Sequence, residues 1–373
     1  MLRLVAVLVV LASAASAEVL EWGKASAVIA GVLQWDDPDF ADFERRKRQD
    51  KVLAESLARL GVPVDRLSLL LDKKAKHDTV LAEVARVAAL APIDGTLVFY
   101  FDGHGTRLED GRVVFATSDI RSGKVETTGL VLTDLTAAIA KSFRGRRVIL
   151  LADCCHSGGL ADVAKALRAK GFQAISITSS EASNESTGDW TYTLALNDAL
   201  GGRALLDRDR DGQIELGELQ AEVSEALLYR ELQRSGFDAG DAALDLVLAP
   251  ARKEPAPRAP KGFKVGDYAR FDDDAVVRIV GEEDRQALVE SLDYATRTTE
   301  TADVADLKPL KFETFAIGAE LQVEWGGKCW DAKVVKVEGA FHWITYPGWD
   351  KYWDEWVADD RIISAGETCP VPE

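Results

Sequence analysis

The chain has 373 residues, 47% apolar and 29% charged, with 45 Lys and Arg against 62 Asp and Glu. That length supports two or three domains with true cores, and the net charge of −17 gives an acidic surface that repels phosphate, against a general nucleic-acid binder. Four cysteines are too few for a disulfide-dense scaffold, and past the N-terminus no apolar run approaches the ~20 residues of a membrane span.

Residues 1–17, MLRLVAVLVVLASAASA, place Arg3 before a short apolar core from Leu4 to Leu11 and end in Ala15-Ser16-Ala17. This pattern predicts a secretory signal peptide cut before Glu18, with export to the periplasm or the exterior and no membrane span after cleavage. No cysteine follows the apolar run, so no lipid anchor is predicted. From there, short apolar runs alternate with helical periods. Strands are predicted at 26–33, 67–71, 96–101, 147–153, 172–178 and 243–248, and helices at 43–60, 79–90, 133–143 and 161–170, with two more before the last strand. Near-continuous Val/Ile/Leu strands separated by helices predict a mostly parallel sheet with helices on both faces. Function in such sheets collects at the carboxyl ends of the strands.

The segment 251–261 is rich in proline and reads as a linker closing a first domain at 18–250. Beyond it two faint copies of one unit follow. Val265-Gly266-Asp267-Tyr268 opens the first and Ile317-Gly318-Ala319-Glu320 the second, and Val304-Ala305-Asp306 and Val357-Ala358-Asp359 close them. The offsets of about 52 residues predict a duplicated small β-barrel, at 262–311 and 312–366.

Two strand ends carry the chemistry. Asp102-Gly103-His104-Gly105 follows the third strand, and Asp153-Cys154-Cys155-His156-Ser157-Gly158 follows the fourth. A cysteine nucleophile needs a partner for its proton and backbone donors for the oxyanion, and glycine lets a substrate approach those donors. His77, in a charged turn, and His342, in an aromatic segment, read as a solvated and a packed residue. An inert buried thiol at Cys155 with a turn histidine at 104 is the competing reading of the pair.

The two motifs, their strand context and their spacing of 51 residues resemble the caspase-like cysteine peptidases of clan CD, most of all the metacaspase and bacterial caspase-family branch. The resemblance covers about residues 25–250. It implies Cys155 as nucleophile, His104 as acid/base and the N–H groups of Gly105 and Cys155 as oxyanion hole. Cys154 then turns to the opposite face by the period of two. The resemblance also implies Asp153 as a wall of the pocket for an Arg or Lys side chain before the cut bond, with Asp50 as a second acid, although this sequence has Gln49 where the family has Asn. Protein or peptide substrates follow. A non-catalytic scaffold that keeps the fold and works through its barrels is the rival from another class.

Asp207-Arg-Asp209-Arg-Asp211-Gly212-Gln213-Ile214-Glu215-Leu-Gly-Glu218 fits a single EF-hand loop, with carboxylates from Asp207, Asp209, Asp211 and Glu218 and the carbonyl of Gln213 as Ca²⁺ ligands. Such loops usually work in pairs, and one is visible. The tryptophan-rich stretch 317–362 resembles Tudor-knot or chromo-barrel SH3-like domains, and the unit before it an agenet or Tudor barrel. The resemblance implies a peptide-binding surface, although most of these tryptophans are expected to fill the small core. Cys329 and Cys369 are a candidate disulfide in an oxidising compartment.

Overall fold

Three strands are buried at every position: β1 (Ala25–Gly31), the later Thr96–Asp102 and Arg147–Asp153. In the computed structural model, which describes residues 17–271, 275–292 and 297–363, they are the interior of one six-stranded sheet. With β2 (Leu67–Leu71), β3 (Thr96–Asp102), β4 (Arg147–Asp153), β5 (Gln173–Thr178) and β6 (Gly236–Asp238), the order is β6-β5-β4-β3-β1-β2. All neighbours are parallel except β6 against β5.

Because strand side chains alternate, each buried strand feeds two cores. Ala27, Ile29, Val98, Tyr100, Ile149 and Leu151 meet α1 (Gln49–Leu60) and two later helices, Thr191–Leu200 and Leu216–Glu231. Val28, Ala30, Phe99, Phe101, Leu150 and Ala152 meet α2 (His77–Leu90), α3 (Leu132–Ser142) and α4 (Leu160–Arg168) on the other face. The later pair are α5 (Thr191–Leu200) and α6 (Leu216–Glu231). The molecule is thus a mixed α/β protein with helices on both faces of a largely parallel sheet.

Two sequence expectations change. The helix read from Phe43 begins at Gln49. The strand read at 243–248 lies outside the main sheet, because Val247–Pro250 pairs antiparallel with Gln213–Glu215. Leu246 and Leu248 are buried in the core of α1, α5 and α6, so the apolar run that mimics an interior strand is covered by side chains instead. The last strand of the main sheet is β6, too short and polar to announce itself.

Residues 251–260 have no regular structure. Two five-stranded antiparallel sheets follow. The first has strands β7 (Tyr268–Phe271), β8 (Ala275–Glu283), β9 (Gln286–Ser291), β10 (Thr299–Ala302) and β11 (Leu307–Pro309) in the order β10-β9-β8-β7-β11. The second has β12 (Glu320–Trp325), β13 (Lys328–Glu338), β14 (Phe341–Thr345), β15 (Glu355–Val357) and β16 (Ile362–Ile363) in the equivalent order β15-β14-β13-β12-β16. The shared turns Gly266 and Gly318 sit at φ of 98° and 89°, where a side chain is strained. Each donates its N–H to the second strand of its sheet, to Ile279 and Val334.

Apart from Trp330, which packs against its edge, the tryptophans do not fill the last core. Val323, Ala332, Val334, Ile344, Tyr346, Val357 and Ile362 do. Trp325, Trp349 and Trp353 are 47%, 54% and 44% exposed. Among the described residues no helix is long and apolar enough to cross a membrane. The leader expected at 1–17 lies, apart from Ala17, outside the described residues, and so does Cys369. Cys329 is disulfide-bonded.

Candidate active site

β3 and β4 run side by side with Asp102 opposite Asp153, so both end at one level. The N–H of Gly103 then reaches the Asp153 carbonyl at 3.4 Å. The His-Gly and Cys-Cys segments therefore leave the sheet next to each other. A Cβ at Gly105 would lie 1.9 Å from the Cys155 carbonyl oxygen and 3.2 Å from Cys154 Sγ, so only glycine permits this approach.

Cys154 continues the even side of β4 into the core with Ala152 and Leu160, where burial pushes its thiol well up. Cys155 is half-buried. Its Sγ accepts from the Ser186 N–H at 3.3 Å and donates to the Ser186 carbonyl at 3.6 Å. Burial pushes this thiol up too, against the Ser186 hydrogen bond. The His104 ring lies against Trp35 and Phe43, with centroids 4.5 and 4.4 Å away. Its Nε2 is 2.9 Å from the Ala41 carbonyl. A carbonyl only accepts, so Nε2 carries the proton and Nδ1 holds the lone pair. Burial lowers the His104 pKa, partly offset by Ala41. Among the described residues no hydrogen bond joins His104 to Cys155, and burial disfavours the charged form of each. His156 takes a left-handed conformation at φ 57°, with Nδ1 on the Ala182 carbonyl at 3.0 Å.

Acids surround this edge. Asp153 is buried and accepts from Thr193 Oγ1 at 2.6 Å, and burial pushes its pKa up to about 7. It lines a cavity of about 40 Å³ together with Asp102, Gly103, Thr187 and Asp189. Asp102 is 2% exposed and neither carboxylate oxygen has a hydrogen-bond partner. Burial, then Asp50, pushes its pKa well up.

Asp50 plays a different part from the one expected. It does not line the cavity. Its carboxylate is held by Arg48 at 2.6 Å, and Arg48 also reaches Asp72 at 2.7 Å and the Gly31 carbonyl at 3.0 Å. Burial works against the Arg48 charge, but Asp50 and Asp72 outweigh it and raise its pKa. The pairing is local, because Arg48 caps α1 two residues before Asp50. Sequence reading missed Asp102, Arg48 and Asp72. The position of Asp102 two residues before His104, mirroring Asp153 two before Cys155, was the available signal.

The EF-hand-like loop stands apart, between α5 and α6. Asp207, Asp209 and Asp211 bring one oxygen each within 4.8 Å of one another. Glu218 is not in that cluster. Its carboxylate accepts from the N–H groups of Arg208 (2.6 Å) and Glu215 (3.1 Å), closing a capping box on α6. Gln213 lies in the short strand paired with Val247–Pro250, where a paired EF-hand would place its second loop. Three hard-oxygen donors fit a divalent cation such as Ca²⁺, and Glu218 would have to leave its cap to join them.

Comparison with known protein families finds no match. Comparison with curated proteins finds none either. Among solved structures the chain is similar to the crystal structure of protein GSU0716 from Geobacter sulfurreducens, at 14% identity and a TM-score of 0.43, covering 61% of this chain and 99% of that one.

Proposed function

We propose that the protein is an exported cysteine endopeptidase of the caspase-like type, cutting after Arg or Lys, with the six-stranded sheet as its peptidase domain and two SH3-like barrels after it. The observation that carries this is the close approach of Gly105 to the Cys155 carbonyl at the ends of two adjacent strands, whose Asp102 and Asp153 line one cavity.

The step follows from the groups present. The Cys155 thiol gives its proton to His104 Nδ1 as sulfur bonds to the substrate carbonyl carbon. The oxyanion accepts from the N–H groups of Gly105 and Cys155. His104 returns the proton to the leaving amine as the C–N bond breaks, leaving a thioester. Water then adds, its proton passes through His104 to sulfur, and the C–S bond breaks to release the acid and restore the thiol. No cofactor enters this chemistry. A guanidinium in the cavity would meet two buried carboxyl groups, one without a hydrogen-bond partner, which is directional recognition that an acidic side chain could not obtain. In this reading Ca²⁺ bound by Asp207, Asp209 and Asp211 would brace α6, which faces the same core as α1.

The resting pair, with Cys155 latched on Ser186 and His104 on Ala41, is what favours the rival scaffold reading. Hydrolysis of an Arg-blocked fluorogenic peptide under reducing conditions, with and without Ca²⁺, decides between them. The peptidase reading expects turnover that falls by about 10³-fold or more in Cys155→Ala. Equal, negligible signals from both proteins would leave the scaffold.

A further inference from the structure

A cleft of about 540 Å³ separates the loop over Cys155 from the last five-stranded sheet. One wall is Glu185, Ser186, Thr187 and Glu231; the other carries Trp325, Trp349 and Trp353. Thr187 also lines the small acid cavity, so the two spaces are neighbours across one residue. The walls are fixed to each other. Asn184 Nδ2 donates to the Trp356 carbonyl at 2.7 Å, Arg234 bridges Glu181 (3.0 Å) and Glu338 (2.5 Å), and Arg107 donates to the Tyr352 carbonyl.

The cleft already holds cations on aromatic faces. Arg107 sits 3.9 Å from the Tyr352 ring centroid and Arg234 4.1 Å from that of Trp356. Arg361 is paired with Glu355 at 2.7 Å. The three wall tryptophans remain about half exposed. Glu231, its side chain 4% exposed, uses Oε2 to accept from Thr187, while Oε1 has no hydrogen-bond partner and stands 3.8 Å from Arg230 Nε. Half-exposed indoles, packed edge-to-face on one another and on Trp330 and Tyr352, together with an under-satisfied buried carboxylate suit an organic cation.

We propose that this cleft is a second substrate site, taking a basic side chain of the polypeptide outside the bond that is cut. The proposal rests on the endopeptidase reading and adds to it a substrate class: chains with two spaced basic residues. Its nearness to the acid cavity, with Thr187 lining both, selects a segment of the same polypeptide, and the chain's net charge of −17 favours a basic one.

The test uses the full chain carrying Cys155→Ala and a fluorescein-labelled dodecapeptide with one Arg and, five residues away, one Lys. Fluorescence anisotropy compares it with versions holding Gln or Leu in place of that Lys. The expected result is at least tenfold tighter binding of the Lys peptide than of either other, lost when Trp349→Ala and Trp353→Ala are added. Both are surface positions, and a circular dichroism spectrum like the parent's checks the fold. In the active protein the same pair of changes raises KM for the Lys peptide and leaves turnover of a short Arg-blocked substrate unchanged. Equal binding of the Lys, Gln and Leu peptides, or equal loss for all three in the tryptophan variant, overturns the proposal. Lys-dependent binding without cleavage by the active protein supports the cleft and overturns the endopeptidase reading instead.

Discussion

Two groups of three aspartates in this chain differ in sequence spacing and in structure. At the sheet edge, Asp50, Asp102 and Asp153 are buried; in the loop 207–211, Asp209 and Asp211 are exposed. The loop acids accept from their own backbone, through the N–H groups of Asp211, Gly212 and Gln213, and Asp209 and Asp211 stand open to solvent, although Asp207 Oδ1 is buried without a partner. The edge acids are shut away from solvent: Asp50 is held by Arg48, and Asp102 feels the same Arg48 charge but has no hydrogen-bond partner. Burial turns a carboxylate into a demand for a cation, whereas exposure leaves it content alone. The first cluster is therefore the one expected to select a substrate, the second at most to hold an ion.

The largest effect expected is from Arg48→Met. It leaves Asp50 buried without its partner and should cost about 3–5 kcal/mol in urea unfolding. A loss no larger than for a surface arginine would erase the contrast between the clusters. Next, Asp102→Asn removes a buried acid that has no hydrogen-bond partner, so kcat/KM for an Arg-blocked peptide should fall by roughly 10–100-fold while the melting temperature holds or rises. Unchanged turnover would remove Asp102 from recognition.

The pH response of Asp153 sharpens the picture further. Its folded pKa, about 7, lies above the unfolded value, so the native state holds more protons between the two. Its contribution to stability is fullest at acid pH and declines as pH rises from ~4 toward 7, by up to about 1.4 kcal/mol per unit. Cleavage after Arg should increase over the same approach to pH 7, as the carboxylate ionises. Asp153→Asn flattens both curves; persistence of either slope assigns it to another group. Smallest is Asp209→Asn, expected to change stability by less than about 0.5 kcal/mol without added metal. At millimolar Ca²⁺ the parent should gain about 1–2 kcal/mol and the variant should not. A parent indifferent to Ca²⁺ would mean that the loop binds none.

Much of the sheet was legible because interior strands have no polar face: the runs at 96–101 and 147–153 are buried end to end. The helices flanking the acidic loop, Thr191–Leu200 and Leu216–Glu231, could be read from their period. Val247–Pro250 could not, since an apolar run is equally buried by a strand neighbour or by helices packed over it. The tryptophans misled for a related reason. Apolar content says that a residue prefers cover, and a small core filled by valine and isoleucine leaves Trp349 and Trp353 to seek it in a cleft between domains.

What the chain's pattern determined by itself is the set of strand ends on which Cys155 and His104 sit, because hydrophobic periodicity fixes where each strand stops. Which acid stands free and which is neutralised was decided only by packing. Arg48 meets Asp50 two residues on, but it also reaches Asp72 and Gly31 on two other segments, and no spacing rule along the chain encodes those distances. Local order follows from near neighbours in sequence; the charge balance of a buried site depends on contacts that exist only once the sheet is assembled.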